Sequence, residues 1–238
     1  MAKVPNSNAA EIAHFSRLAS RWWDPDGEFR TLHDLNPVRV AWIAEVAGLA
    51  GKRVVDVGCG GGLLSEAMAR QGAHVTGLDM SAESLAIARL HLIESASLSI
   101  DYYETTAEEL ALQSPAAYDL VTCMELLEHV PDPGQLVKAC AQLVKPGGSV
   151  LFSTINRTPQ AFALAIVGAE YLTRLVPRGT HRYDQLIRPS ELDAWGRQCG
   201  LQLASLRGGS YNPASRVFRF TSGTAVNYFA HFRLATPL

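Results

Sequence analysis

The chain has 238 residues, 47% of them hydrophobic, and a formal net charge of −2. That length sustains one sizeable α/β core rather than two, and the near-neutral charge leaves no electrostatic footprint for nucleic acid. Cys59, Cys123, Cys140 and Cys199 are scattered without a C-x-x-C pair, the N-terminus is polar, and no apolar run reaches the roughly 18 residues of a membrane span. These features argue against a disulfide framework, a cysteine-held zinc site and a membrane span, and they predict a cytoplasmic protein.

In chain order, residues 1–10 read as loose. A helical pattern starts at Glu11, runs through Ile12, Phe15 and Leu18 to Trp22-Trp23, and breaks at Asp24-Pro25-Asp26-Gly27. A second helix is predicted from Pro37, a favoured first-turn residue, carrying Val40, Ile43 and Val46. Strands follow at 53–57, 74–78, 100–103, 120–123 and 149–153, with helices at 63–71, 82–94 and 134–143 between them. Lys145-Pro146-Gly147-Gly148 reads as a turn. Beyond it lie an apolar helical stretch (158–176), a polar loop (177–188), a helix (189–199) and strands at 201–206 and 217–220. The alternation predicts an α/β fold with a parallel, doubly wound sheet.

The most specific segment is Val54-Val55-Asp56-Val57-Gly58-Cys59-Gly60-Gly61-Gly62, a buried strand entering a glycine-rich turn. Glycine permits the tight turn and the close approach of a ligand to the main chain. Gly58 and Asp79 are 21 residues apart, near the spacing at which an acid meets ribose hydroxyls. A dinucleotide site needs G-x-G-x-x-G, but Leu63 stands where the third glycine belongs. Asp56 would repel a pyrophosphate and suits a cofactor carrying an amine and a sulfonium. The turn therefore points to S-adenosyl-L-methionine (SAM), against a nicotinamide or flavin cofactor or a turn without ligand. Asp79 either takes the ribose diol in charge-assisted hydrogen bonds or caps the helix opening at Ser81. Asp56 either holds the cofactor amine through water or serves the following helix.

Glu125, Glu128 and His129 are spaced i, i+3, i+4, which predicts one face of a helical turn. Two carboxylates and an imidazole suit a divalent metal, with Mg2+ the best fit to oxygen-rich ligation. The rival reading makes His129 a metal-free general base. The plainest reading leaves the two glutamates as capping or surface carboxylates.

The glycine turn, Asp79, Tyr118-Asp119-Leu120-Val121-Thr122-Cys123-Met124-Glu125 and Leu143-Val144-Lys145-Pro146-Gly147-Gly148 together resemble the class I SAM-dependent methyltransferases. Ala19-Ser20-Arg21-Trp22-Trp23-Asp24, Leu35-Asn36-Pro37-Val38-Arg39, Met124-Glu125-Leu126-Leu127-Glu128-His129-Val130-Pro131-Asp132-Pro133 and Val167-Gly168-Ala169-Glu170-Tyr171 narrow the resemblance. They are similar to the ubiquinone biosynthesis O-methyltransferase family. The resemblance implies a seven-stranded sheet, order 3-2-1-4-5-7-6, with strand seven antiparallel. It implies methylation of catechol hydroxyls on polyprenylated precursors, at both O-methylation steps of ubiquinone biosynthesis.

The resemblance also assigns cofactor contacts. Arg39 would reach the SAM carboxylate, Gly58 and Gly60 the methionine moiety and Asp79 the ribose, with Met80 a further cofactor contact. Met124 would pack on the adenosyl group, and Glu108 would lie near adenine. By residue type alone, Arg39 also fits a solvated helix face, Met124 plain core filling, and Glu108 a first-turn carboxylate. Glu128 and His129 would carry the chemistry. No protein nucleophile is required, because the sulfonium methyl is already activated and the protein supplies alignment and deprotonation. One departure stands out: Gly179-Thr180-His181-Arg182-Tyr183 replaces the family's Gly-Thr-His-Asp-Trp.

The resemblance implies a helical cap over 1–50, a cofactor-binding core over 51–155, an insertion over 156–188 and a C-terminal helix with strands over 189–238. Within the insertion, the apolar run 161–169 is flanked by Arg157, Arg174, Arg178 and Arg182. Apolar helices with basic ends lie in membrane interfaces. Segment 158–182 is thus expected to touch anionic lipid at the inner face of the cytoplasmic membrane, or else to form a lid or dimer helix. A place in a ubiquinone-biosynthesis complex is open. The alternatives to the catechol reading are another phenolic or carboxylic substrate, or a non-catalytic lipid-docking subunit.

Overall fold

A computed structural model describes residues 6–95, 98–164, 167, 177 and 180–236. β1 (Arg53–Val57), β2 (His74–Asp79), β3 (Ile100–Glu104), β4 (Tyr118–Met124) and β5 (Val144–Ile155) pair in parallel. β6 (Leu201–Asn212), β7 (Val217–Thr221) and β8 (Asn227–Leu234) complete the sheet in antiparallel pairs. The order is β3-β2-β1-β4-β5-β8-β6-β7.

The expected topology is present with one strand more. The antiparallel neighbour of β5 is β8, while the strand expected as the seventh, β7, lies at the sheet edge. Tyr228 to Phe232 are all buried, so β8 lacks the polar–apolar alternation by which a half-exposed strand declares itself. The Lys145–Gly148 turn lies inside β5 as a bulge, because Tyr118 pairs with Val144 and Leu120 with Ser149.

The alternation of the parallel strands feeds two cores. Val55, Val57, Val121, Cys123, Val150 and Phe152 face one cluster, shared with α5 (Ala107–Gln113), α6 (Pro133–Leu143) and α8 (Pro189–Gln198). Val54, Leu120 and Leu151 face the other, shared with α2 (Arg30–Ala47) and α3 (Leu63–Ala69). α4 (Ala82–Glu94) covers β2 and β3 with Leu85 and Ala88 against Tyr102.

Two N-terminal expectations change. Asn6 is fixed by hydrogen bonds to Glu108 and to the Asp132 carbonyl, and Asn8 caps α1 (Ala9–Leu18), so order starts earlier than residue 10. α2 begins at Arg30 and encloses Pro37. A proline inside a helix costs about 3 kcal/mol. Here the buried stripe of Leu35, Val40, Trp42 and Ile43 outweighs that cost. The longer helix carries Asn36 and Arg39 inward.

Of the apolar stretch 158–176, only a helical turn, α7 (Pro159–Ala161), and its continuation to Leu164, with Val167, fall in the described residues. Ile166, Leu172, Leu175, Val176, Arg174 and Arg178 lie outside them. Among the described residues no helix is long and apolar enough to cross a membrane.

Candidate active site

The strand order reverses between β1 and β4, and the crevice at that switch point is where open α/β sheets bind ligands. A cavity of about 370 Å3 opens there. Arg39, Asp56, Gly58, Gly60, Asp79, Met80, Glu108 and Met124 all line it, as do Glu125 and His129.

The turn after β1 depends on glycine geometry. Gly58, Gly60 and Gly62 sit at φ of 73°, 54° and 87°, in the left-handed region that penalises a side chain. The Asp79 carboxylate spans the turn and the next helix, accepting from Gly60 N at 2.9 Å and from Ser81 N at 2.8 Å. The cap of α4 is Ser81 itself, whose hydroxyl accepts from Ser84 N at 3.0 Å. Asp56 accepts from Ser65 Oγ and Thr122 Oγ1, each at 2.7 Å, so it serves helix α3 while lining the cavity. Burial raises the pKa of both Asp56 and Asp79 above the ordinary aspartate value.

Arg39 is 5% exposed, which excludes a solvated helix face. One nitrogen donates to Asn36 Oδ1 at 2.9 Å, while Nε is buried with no partner among the described residues. Burial pulls its pKa down, against the attraction of Asp56 and Glu125. A buried guanidinium with a spare donor beside a glycine turn suits a ligand carboxylate. Glu108 stands in the first turn of α5, accepts from Asn6 at 2.9 Å and lines the cavity. Met124 is buried in the α2–α3 core and also lines the cavity.

Glu125, Glu128 and His129 do not share a helical face. Glu125 follows β4 at φ 54°, and only Leu127–His129 form a 3-10 turn. The difference is local: a positive φ swings Glu125 onto Ser153, whose hydroxyl donates to it at 2.5 Å. Burial, then the neighbouring Glu128, raises the Glu125 pKa. Glu128 takes a 2.7 Å hydrogen bond from Thr154 and keeps Oε1 buried without a partner among the described residues. His129 bonds through Nδ1 to Glu11 Oε2 at 3.0 Å. Burial acts to lower its pKa, but Glu11, Glu128 and Glu125 together outweigh burial and raise it.

Ligand atoms of Glu128, His129 and His181 lie within 4.8 Å of one another. Glu125 is not in that group, although the charges of Glu128 and His181 both act on it. Two residues of this site escaped the sequence reading. Glu11 carried no signal, being 118 positions from His129, whereas His181 lay in the quoted Gly-Thr-His stretch.

The Methyltransferase domain family matches residues 13–206. That match, with the fold and the cavity at its switch point, makes the chain a class I SAM-dependent methyltransferase. The ubiquinone biosynthesis O-methyltransferase of Bordetella bronchiseptica is 57% identical over 96% of this chain and 95% of its own. That of Aromatoleum aromaticum is 56% identical over 97% and 98%. The chain belongs to the ubiquinone biosynthesis O-methyltransferase family. Among solved structures, magnesium protoporphyrin IX methyltransferase from Synechocystis PCC 6803 with bound SAH superposes at TM-score 0.69 with 20% identity, covering 94% of this chain and 95% of that one. The [4+2]-cyclase SpnF also reaches 0.69, with 15% identity over all of both chains. The fold alone therefore does not set the reaction, and the residues at the site do.

Proposed function

We propose that the chain methylates catechol hydroxyls of polyprenylated ubiquinone precursors at both O-methylation steps, with His129 as the base. The observation that carries this reading is the Glu11–His129 hydrogen bond in the lining of the SAM cavity. SAM supplies an activated methyl group on a sulfonium. Arg39 binds the donor's carboxylate and Asp79 its ribose, while the glycine turn lets the donor lie close to the backbone. Glu11 accepts from His129 Nδ1–H, which leaves Nε2 to remove the catechol proton.

A second reading is favoured by the orphaned Glu128 Oε1. The donor set of Glu128, His129 and His181 fits a divalent cation, which would lower the pKa of a chelated catechol.

Segment 158–182 forms the membrane contact in this reading, at the inner face of the cytoplasmic membrane. Phe162, Leu164 and Val167 are exposed apolar residues on it, which supports the assignment. Flotation with anionic liposomes that persists after Phe162, Ile166 and Leu172 are changed to Ser overturns it.

The test of the reaction is label transfer from isotopic SAM to a short-chain demethylubiquinol, with and without chelator. Label on the ring oxygen supports the function, and its absence with SAM still binding overturns the substrate. Loss of label on chelation selects the cation, and survival selects His129 alone.

A further inference from the structure

Two consecutive tryptophans straddle the glycine turn. Trp22 lies on the cavity side, so close that a Cβ on Gly60 would sit 2.1 Å from its ring and one on Gly61 2.3 Å. Trp23 does not line the cavity. Its indole Nε1–H donates to the Gly61 carbonyl at 2.9 Å. Its ring lies flat on the His91 imidazole, with 3.4 Å between centroids and 2° between planes.

His91 is anchored in turn. Its Nδ1 bonds Glu66 Oε1 at 2.6 Å, and Glu66 is fully buried at the heart of α3. Arg70 and Ser95 donate to the other Glu66 oxygen at 2.6 and 3.0 Å. A buried carboxylate needs such partners, and leaving it without them is costly. The array therefore ties the N-terminal segment, α3 and α4 to one carbonyl of the turn. No step of the methyl transfer uses Trp23, His91 or Glu66.

Backbone bonds hold both ends of the turn: Gly58 N and Cys59 N donate to the Leu78 carbonyl at 2.8 and 2.9 Å, and Gly62 N to the Cys59 carbonyl at 3.0 Å. Side-chain holds between those ends are few among the described residues. Asp79 takes the Gly60 N–H, but the ribose of the donor calls on the same carboxylate. Cys59 Sγ reaches the Gly60 carbonyl only at 3.8 Å. The Trp23 bond thus fixes the turn from the face away from the donor, independently of Asp79.

We propose that Trp23, clamped by His91 and Glu66, is a positioning residue for the methyl donor, locking the glycine turn in its binding conformation. The inference rests on the glycine turn being the SAM site. Trp23→Phe keeps a ring on His91 and removes the N–H. His91→Gln keeps a hydrogen-bonding group for Glu66 and removes the stack. Both are measured in the full chain by calorimetry with S-adenosylhomocysteine, by KM for SAM and kcat, and by thermal melting.

Each variant should bind S-adenosylhomocysteine roughly threefold to tenfold more weakly, the range expected of one hydrogen bond, with kcat within about twofold. The double variant should lose less than the product of the two, because the residues act as one unit. Folded variants that bind as tightly as wild type overturn the proposal, as does a kcat loss without a change in affinity. If one variant fails to fold, the other decides. Wild type that binds S-adenosylhomocysteine but does not methylate the quinol overturns the substrate assignment and leaves this test intact. Wild type that does not bind it overturns both.

Discussion

Glu11 and His129 are 118 residues apart and share a 3.0 Å hydrogen bond. The edge of the Phe15 ring meets the same imidazole, with centroids 5.3 Å apart, so α1 holds His129 by both its carboxylate and its apolar face. His129→Ala should lower kcat by about 10²- to 10⁴-fold, the span of general-base contributions. Glu11→Gln keeps a neutral acceptor and should cost about tenfold. Affinity for S-adenosylhomocysteine should stay within about twofold in both. An affinity loss matching the kcat loss would show that α1 holds the donor rather than the base.

Asp79 is buried and bonded to two backbone N–H groups. Asp79→Ala removes a charged acceptor worth about 1.5–3 kcal/mol to its partners. S-adenosylhomocysteine should bind roughly ten- to 150-fold more weakly by calorimetry. Unchanged binding would place the ribose elsewhere.

Gly60 and Gly51 both have positive φ, at 54° and 70°, but only Gly60 faces Trp22. An alanine at either pays about 1–2 kcal/mol of backbone strain. Gly51→Ala meets nothing within 4 Å and should lose only that stability. Gly60→Ala must also displace the indole, so it should melt lower still and bind donor at least about tenfold more weakly. Equal melting shifts would show that Trp22 swings aside freely.

Arg216 clasps the N-terminal segment to the β6–β7 turn. Its guanidinium bonds Asp34 at 2.9 Å, Asp26 at 2.6 Å and the Pro25 carbonyl at 2.7 Å, and Tyr211 donates to Asp34 at 2.7 Å. Burial acts to raise the Asp34 pKa, but the hydrogen bonds of Arg216 and Tyr211 outweigh it and hold the pKa low. A folded pKa below the unfolded one stabilises the fold above the ordinary aspartate value of about 3.9, and that contribution is lost as pH falls through the folded value. Wild type should therefore melt above Asp34→Asn at pH 6, with the gap narrowing as pH falls below about 3.9. A gap that does not narrow between pH 6 and pH 3 would mean that the clasp does not depend on the Asp34 charge.

The glycine turn and Asp79 were legible in the sequence because a sharp turn restricts which residues can stand there. The helix at 134–143 was legible because its apolar side chains repeat along the chain, with Leu136, Val137, Cys140 and Leu143 on the buried face. These are local requirements, written within a few residues of where they act. Tertiary structure alone decided that Arg39 is buried, that Glu11 reaches His129, that His181 rather than Glu125 joins Glu128, and that β8 lies between β5 and β6. Each of these joins segments far apart in the chain or buries a strand on both faces. Neither circumstance leaves a period in the sequence, since long-range contacts are set by how the layers pack.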